Sequence, residues 1–335
     1  MSDTTTPARQ WRETWMNGSE AAESRLFEEL VMRMRDVQLR NQAQVSDGRK
    51  LRTLHAEILA GVDDAIFEVA DDVPPDLRQH HFQPGARLRC TVRLSNASGI
   101  PHGGRKPDMR GAALRLHLPD GNVHELLLTN YPVSHARDAV QSVQFASIMS
   151  GARSLLLPRL LFTFGPAEML RILRNLKSAT GATRRLADES FWSRGALLWG
   201  DAGPVRLKLH PAVPPVSGMH APPDLSSDFA QTLLQGDVLY QLSAQRYVDD
   251  VMTPIEDGCT GWDESTVPFV KIATLTLSTR DLRSPAAMAT AQAVDATPFN
   301  PWNAPDAFRP LGNLNRIRRT VYDASAARWT ATPPH

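Results

Sequence analysis

The sequence predicts an α+β protein, a β-barrel with helical additions, and three stretches carry that reading. Residues 19 to 44 place Leu26, Leu30, Val31, Met34 and Val37 at helical spacing on one side, with charges elsewhere. Residues 87 to 130 alternate apolar and polar positions over three or four strands, with turn signals at Gly103-Gly104 and Pro119-Asp120-Gly121. Residues 152 to 185 return to a helical pattern rich in Leu and Arg.

Taken in order, residues 1–48 form an amino-terminal arm and amphipathic helix, and 49–335 form a single core domain. An amphipathic helix of this kind covers a barrel or mediates subunit contact, and covering is the commoner use. An apolar, Gly-containing run from Ile58 to Val69 precedes the first alternating strands. Strands resume around 195 to 210 and 265 to 279. A Pro-rich linker, Pro211 to Pro223, and a loose stretch, Ser284 to Pro310, separate these segments. No internal repeat is evident.

Composition fits a sizeable core: 335 residues, 42% of them hydrophobic. A net charge of +1 implies no polyanion partner, so nucleic acid is not expected. Cys90 and Cys259 lack metal or C-x-x-C spacing and read as two reduced thiols, which suits a cytoplasmic setting. The start lacks a basic segment followed by an apolar one, and no run of eighteen apolar residues occurs, so no transmembrane segment is expected.

Two short runs carry chemistry. In Arg318-Arg319-Thr320-Val321-Tyr322 a helical Arg at i and a Tyr at i+4 share a face, so the Arg318 guanidinium reaches the Tyr322 phenol oxygen. A fixed cation and a ferric ion both favour the phenolate of a side chain that otherwise ionises near pH 10. In Arg52-Thr53-Leu54-His55-Ala56, His55 is an imidazole of the kind that takes a proton from one peroxide oxygen and returns it to the other near pH 7.

The stretch between these runs resembles the haem-catalase family in order, spacing and residue type. Arg52 to Ala56 is similar to the family's R-V-V-H-A, and Thr91-Val92-Arg93-Leu94-Ser95 to the strand carrying R-F-S. Asp108-Met109-Arg110-Gly111 resembles D-P-R-G, Asn130-Tyr131-Pro132-Val133 resembles N-T-P-V, and Arg137-Asp138 resembles R-D. Val205 to His210 looks like a later hairpin. Phe299 to Trp302 and Arg309 to Gly312 look like a variant approach to the proximal helix of short catalase-like proteins.

The resemblance implies an eight-stranded antiparallel β-barrel with flanking helices, holding one haem b between His55 and Tyr322. His55 is then the distal acid and base, with Ser95 fixing its far ring nitrogen and Asn130 bonding the peroxide oxygens. Arg52 and Arg93 pair with haem propionates, Arg328 is a third such partner, Tyr322 is the axial iron ligand, and Arg318 holds its phenolate.

The implied activity is a catalase-like peroxidase that reduces hydrogen peroxide or organic hydroperoxides through a ferryl intermediate. Its partners are peroxide and a small-molecule reductant, and a homo-oligomer is left open. Two alternatives stand: an allene-oxide-synthase-like or lipid-oxidising haem enzyme, and a non-catalytic haem-binding protein. The rearranging branch carries Thr directly before its distal His, where this chain has Leu54. The aromatic residue expected four positions after R-D is Ser142, with Phe145 three further on.

Overall fold

A computed structural model describes residues 10–45, 50–103, 107–180, 185–214 and 224–330. Gly104, in the expected turn, and most of the Pro-rich linker lie outside them.

Helix α1 (Glu20–Gln42) starts where Ser19 accepts the backbone N–H of Ala22, with Glu20 and Glu23 at the electropositive first turn. Its stripe of Phe27, Leu30, Met34 and Val37 packs with Ala139 and Val143 of α2 (Ala139–Met149) and Ile317 of α6 (Asn313–Thr330). The helix therefore builds a helical layer with α2 and α6 rather than covering the barrel itself.

The strands are β1 (Ile58–Val69), β2 (Arg87–Asn96), β3 (Arg110–His117), β4 (Val123–Thr129), β5 (Phe191–Ser193), β6 (Leu197–Leu198), β7 (Pro204–Pro211), β8 (Val238–Arg246) and β9 (Val270–Leu277). Each pairs antiparallel with its neighbours, and β5 also pairs with β7. That link closes β1-β2-β3-β4-β5-β7-β8-β9 into an eight-stranded barrel, and β6 is appended to β7. Closure leaves the eight strands without an exposed edge.

Side chains alternate along each strand, so one set fills the barrel and the other faces out. Val92, Leu94, Ala112, Leu114, Leu126 and Leu128 point inward with Leu207, Leu242 and Leu275 into one buried core. Phe82, Trp199 and Phe308 continue this core as a cluster of tilted and edge-on rings. The opposite set forms cross-strand rows on the outside: Arg93–Ala113–Leu127 and Ser95–Gly111–Thr129.

One helix lies where a loose stretch was expected. The loose stretch from Ser284 contains α5 (Pro285–Asp295), because Ser284 caps it, Pro285 suits its first turn, and the Ala-rich body favours helix. Helix α4 (Leu225–Gln235), capped by Asp224, buries Phe229 and Leu233 in the barrel core. The Leu- and Arg-rich region forms α3 (Leu156–Thr180), two helical halves separated at Gly165, whose φ of +75° leaves the helical range just before Pro166.

Candidate active site

One cavity lies between the outer face of β2–β4 and helix α6. It holds about 810 Å³ of non-atom space, part of it open to solvent. His55, Ser95, Gly111 and Thr129 line the sheet side, Arg318, Val321, Tyr322 and Ser325 line the α6 side, and Arg52, Arg93 and Phe299 also border it.

His55 sits in the irregular segment before β1, with φ +55°. Left-handed backbone is uncommon for a side-chain-bearing residue, and it persists where surroundings fix it. Here the His55 N–H donates to the Ala97 carbonyl at 3.0 Å, and the Arg93 guanidinium donates to the His55 carbonyl at 2.9 Å. Thr53 hydrogen bonds Ser325 of α6, and its carbonyl accepts from Asn41 of α1, so the segment is clamped between two helices.

The imidazole lies over Gly111. A Cβ there would stand 2.6 Å from Nδ1 and 3.1 Å from the Ser95 hydroxyl oxygen, so a residue without a side chain makes the seat. His55 Nδ1 lies 3.1 Å from Ser95 Oγ, which leaves Nε2 as the nitrogen without a protein partner among the described residues. Burial, then the charges of Arg93, Arg194, Arg318 and Arg52, push the imidazole down to about 3. It is neutral at physiological pH and able to accept a proton.

On the other wall, Arg318 donates to the Tyr322 phenol oxygen at 3.1 Å and to Asn315 Oδ1 at 3.0 Å. The expected i, i+4 contact is therefore formed on α6. Arg93 is 3% exposed and reaches Asp295 Oδ1 at 2.8 Å, while Arg52 donates to the carbonyls of Asp295 and Thr297 at 2.5 and 2.6 Å. Burial and mutual repulsion lower Arg52 to about 10, and burial followed by the nearby Arg318 does the same to Arg194. The cavity is thus short of negative charge.

The structure brings together His55, Ser95, Arg52, Arg93, Arg318 and Tyr322. It places two expected residues elsewhere. Asn130 follows the last residue of β4 and does not line the cavity; its Oδ1 accepts the Arg110 N–H at 2.8 Å and its Nδ2 lies 3.3 Å from Glu189. Thr129, one position earlier, lines the cavity instead, in register with Gly111 and Ser95. A step of one residue reverses the face. The Thr129 hydroxyl is buried without a hydrogen-bond partner among the described residues. Arg328 is in the last turn of α6 and is not a lining residue.

Neither Ser142 nor Phe145 reaches the cavity, and Phe145 packs its ring 4.4 Å from that of His135. Sequence reasoning missed Thr129, which lines the cavity, and Arg194, whose charge lowers the His55 imidazole without lining it. The alternation Leu127-Leu128-Thr129 carries the signal for Thr129, since Leu126 and Leu128 belong to the barrel core. Arg194, in the β5–β6 hairpin, donates toward His135 Nδ1 at 3.3 Å, and no local motif marks it.

Comparison with known proteins agrees with this architecture. No family model matches the chain, and no curated protein does. Among solved structures it is similar to a fungal catalase, with TM-score 0.69 and 16% identity over 85% of this chain and 61% of that one. It is similar to catalase A from Saccharomyces cerevisiae, with TM-score 0.68 and 16% identity over 96% of this chain and 68% of that one. A bacterial catalase matches with TM-score 0.59 and 17% identity over 98% of this chain and 68% of that one. The fold is catalase-like, and the chain spans roughly three fifths to two thirds of these neighbours.

Proposed function

We propose that the chain is a haem-dependent, peroxide-decomposing enzyme of the peroxidase type, acting on hydrogen peroxide or organic hydroperoxides. The observation that carries this reading is one cavity with a neutral imidazole, His55, on its sheet wall and an Arg318–Tyr322 pair on its helix wall.

The lining fits a flat dianionic macrocycle on chemical grounds. Gly111 and Ala113 keep the sheet wall low, and Arg52 and Arg93 offer guanidinium groups to two carboxylates. Tyr322 is a phenol held by a cation, the donor type that haem iron takes in catalases. When bound there, haem would supply the redox centre for peroxide cleavage.

The protein's own residues would handle the proton. His55 Nε2 would accept a proton from one peroxide oxygen and return it to the other. Ser95 holds Nδ1 so that the ring keeps its orientation. Thr129, rather than Asn130, presents a hydroxyl on the same wall, able to donate to one peroxide oxygen or accept from it. Arg318 would hold the Tyr322 oxygen in place through its hydrogen bond.

The test is the absorption spectrum of the purified protein produced with adequate haem, beside Tyr322→Phe. A high-spin ferric tyrosinate-type spectrum, lost or altered in the variant, is the expected result. Absence of stoichiometric haem would overturn the reading.

A further inference from the structure

We propose that the outward face of α3 docks this protein onto an anionic lipid surface. The helix is apolar on both sides. Its inner face, with Leu160 and Ile172, packs against Phe145 and Ile148 of α2. On its solvent side Phe162 is 88%, Leu157 56% and Leu161 41% exposed before the break at Gly165, and Leu170 is 66% exposed after it. A helix interior to a domain hides such residues, and a solvated helix replaces them with charge.

The charges on α3 decide which occupant fits. Leu156–Thr180 carries Arg159, Arg171, Arg174 and Lys177 against a single acid, Glu168. Glu168 is taken by Arg171 at 2.7 Å and by Gln141, so it gives the outer face no negative charge of its own. Arg159, Arg174 and Lys177 are exposed, and no acidic side chain among the described residues pairs with them. A second copy laid face to face on this helix would set these cations against their own counterparts. An anionic bilayer accepts both features together: the aromatic and Leu side chains enter the headgroup boundary, and the cations meet lipid phosphates. The break at Gly165 and Pro166 separates a mainly apolar half, with Leu157, Leu161 and Phe162, from a half that mixes Leu170 with Arg174 and Lys177.

The helix also touches the candidate site's support. Ala179, near its end, offers its carbonyl to Asn130 Nδ2 at 3.4 Å, one residue from Thr129 of the cavity wall. A hydroperoxide carried on a membrane lipid is then the substrate class this placement favours. That consequence rests on the haem reading; the docking does not.

The experiment is co-sedimentation of the purified 335-residue chain with vesicles of phosphatidylcholine alone and of phosphatidylcholine mixed with phosphatidylglycerol. Binding to the mixed vesicles only, weakened by added salt, is expected. Phe162→Ser with Leu157→Ser should lower the partition coefficient by about tenfold or more, because two apolar insertions are lost. Arg174→Glu with Lys177→Glu should abolish the preference for the anionic vesicles. All four positions are exposed, so circular dichroism and the haem absorption spectrum should match those of the parent. No binding to either vesicle would overturn the proposal, as would binding that these variants leave unchanged. A lipid-free dimer in sedimentation velocity that Phe162→Ser dissociates would also overturn it and make the face a self-interface. Haem content is read separately, so failure of the haem assignment leaves the vesicle result interpretable.

Discussion

Gly111→Ala tests how tightly the candidate distal group is seated. The new methyl would stand 2.6 Å from His55 Nδ1, 2.7 Å from Cε1 and 3.1 Å from Ser95 Oγ. An ordinary contact is about 3.5–4.0 Å, so the ring must retreat by roughly 1 Å. It cannot do so easily. The His55 backbone is fixed at φ +55° by bonds to the Ala97 carbonyl and from the Arg93 guanidinium, and leaving its place breaks the Ser95 contact. Overpacking at about 1–3 kcal/mol plus one lost hydrogen bond near 1 kcal/mol gives an expected loss of about 2–4 kcal/mol. Urea denaturation at neutral pH measures it. The reasoning names His55 as the obstacle, so the substitution should cost far less in a His55→Ala background. The double-mutant cycle should show a coupling of about 1–3 kcal/mol. Additivity within about 0.5 kcal/mol would refute the account and place the strain elsewhere.

Acidification should destabilise the fold through its buried histidines. Burial holds His55 and His135 at about 3, His81 at about 4, and His124 well below its ordinary value. Each folded-state value lies below the unfolded one near 6.5, so the unfolded chain binds more protons between them. Stability is then level above about pH 6.5 and falls as the pH drops below it. Urea midpoints across pH 4.5 to 8 should show this, and His124→Leu should flatten the slope by up to about 1.4 kcal/mol per pH unit. A slope unchanged in that variant would exclude His124 as a contributor. A second test concerns Arg316, 8% exposed, which bonds Glu23 at 2.6 and 2.9 Å, Glu13 at 2.8 Å and Glu256 at 3.0 Å. Arg316→Ala should cost about 3–5 kcal/mol by leaving buried carboxylates uncompensated, measured by the same denaturation. A loss under about 1 kcal/mol would mean that water already solvates the cluster.

The barrel was legible because its alternation is strict where one face meets the core: Val92, Leu94, Leu114 and Leu126 all lie inside, as their spacing from β2 to β4 requires. The Arg318–Tyr322 contact was equally legible, since i, i+4 geometry is fixed by the helix. Where reading failed, the causes differ. Helix α5 was hidden by the Pro residues around it, although Ser284-Pro285 followed by an Ala-rich run is itself a helix-start signal. Thr129 was hidden by motif spacing, which attached the distal hydrogen-bonding role to Asn130. The cavity lining holds its neighbour, in register with Gly111. The partner of Arg93 could not be read at all, because Asp295 lies 202 residues away.

That last contact bears on how an anionic ligand would enter. Arg93 is 4% exposed at its side chain and gives its charge to Asp295, which remains 40% exposed at the end of α5. Arg52 spends two donors on carbonyls of the same helix end. A carboxylate arriving from the cavity must therefore compete with Asp295 for Arg93, and α5 is the element that yields, since its carboxylate can turn to solvent while Arg93 cannot. Asp295→Asn removes the competing charge and keeps the shape. On the haem reading proposed above, protein carrying it should bind haem several-fold more tightly in a spectrophotometric titration, and should be less stable without ligand because the buried guanidinium loses its counter-charge. The two effects have opposite signs and one cause. Weaker haem binding in the variant would mean that Asp295 orients Arg93 for the ligand rather than occupying it, and would reverse the argument.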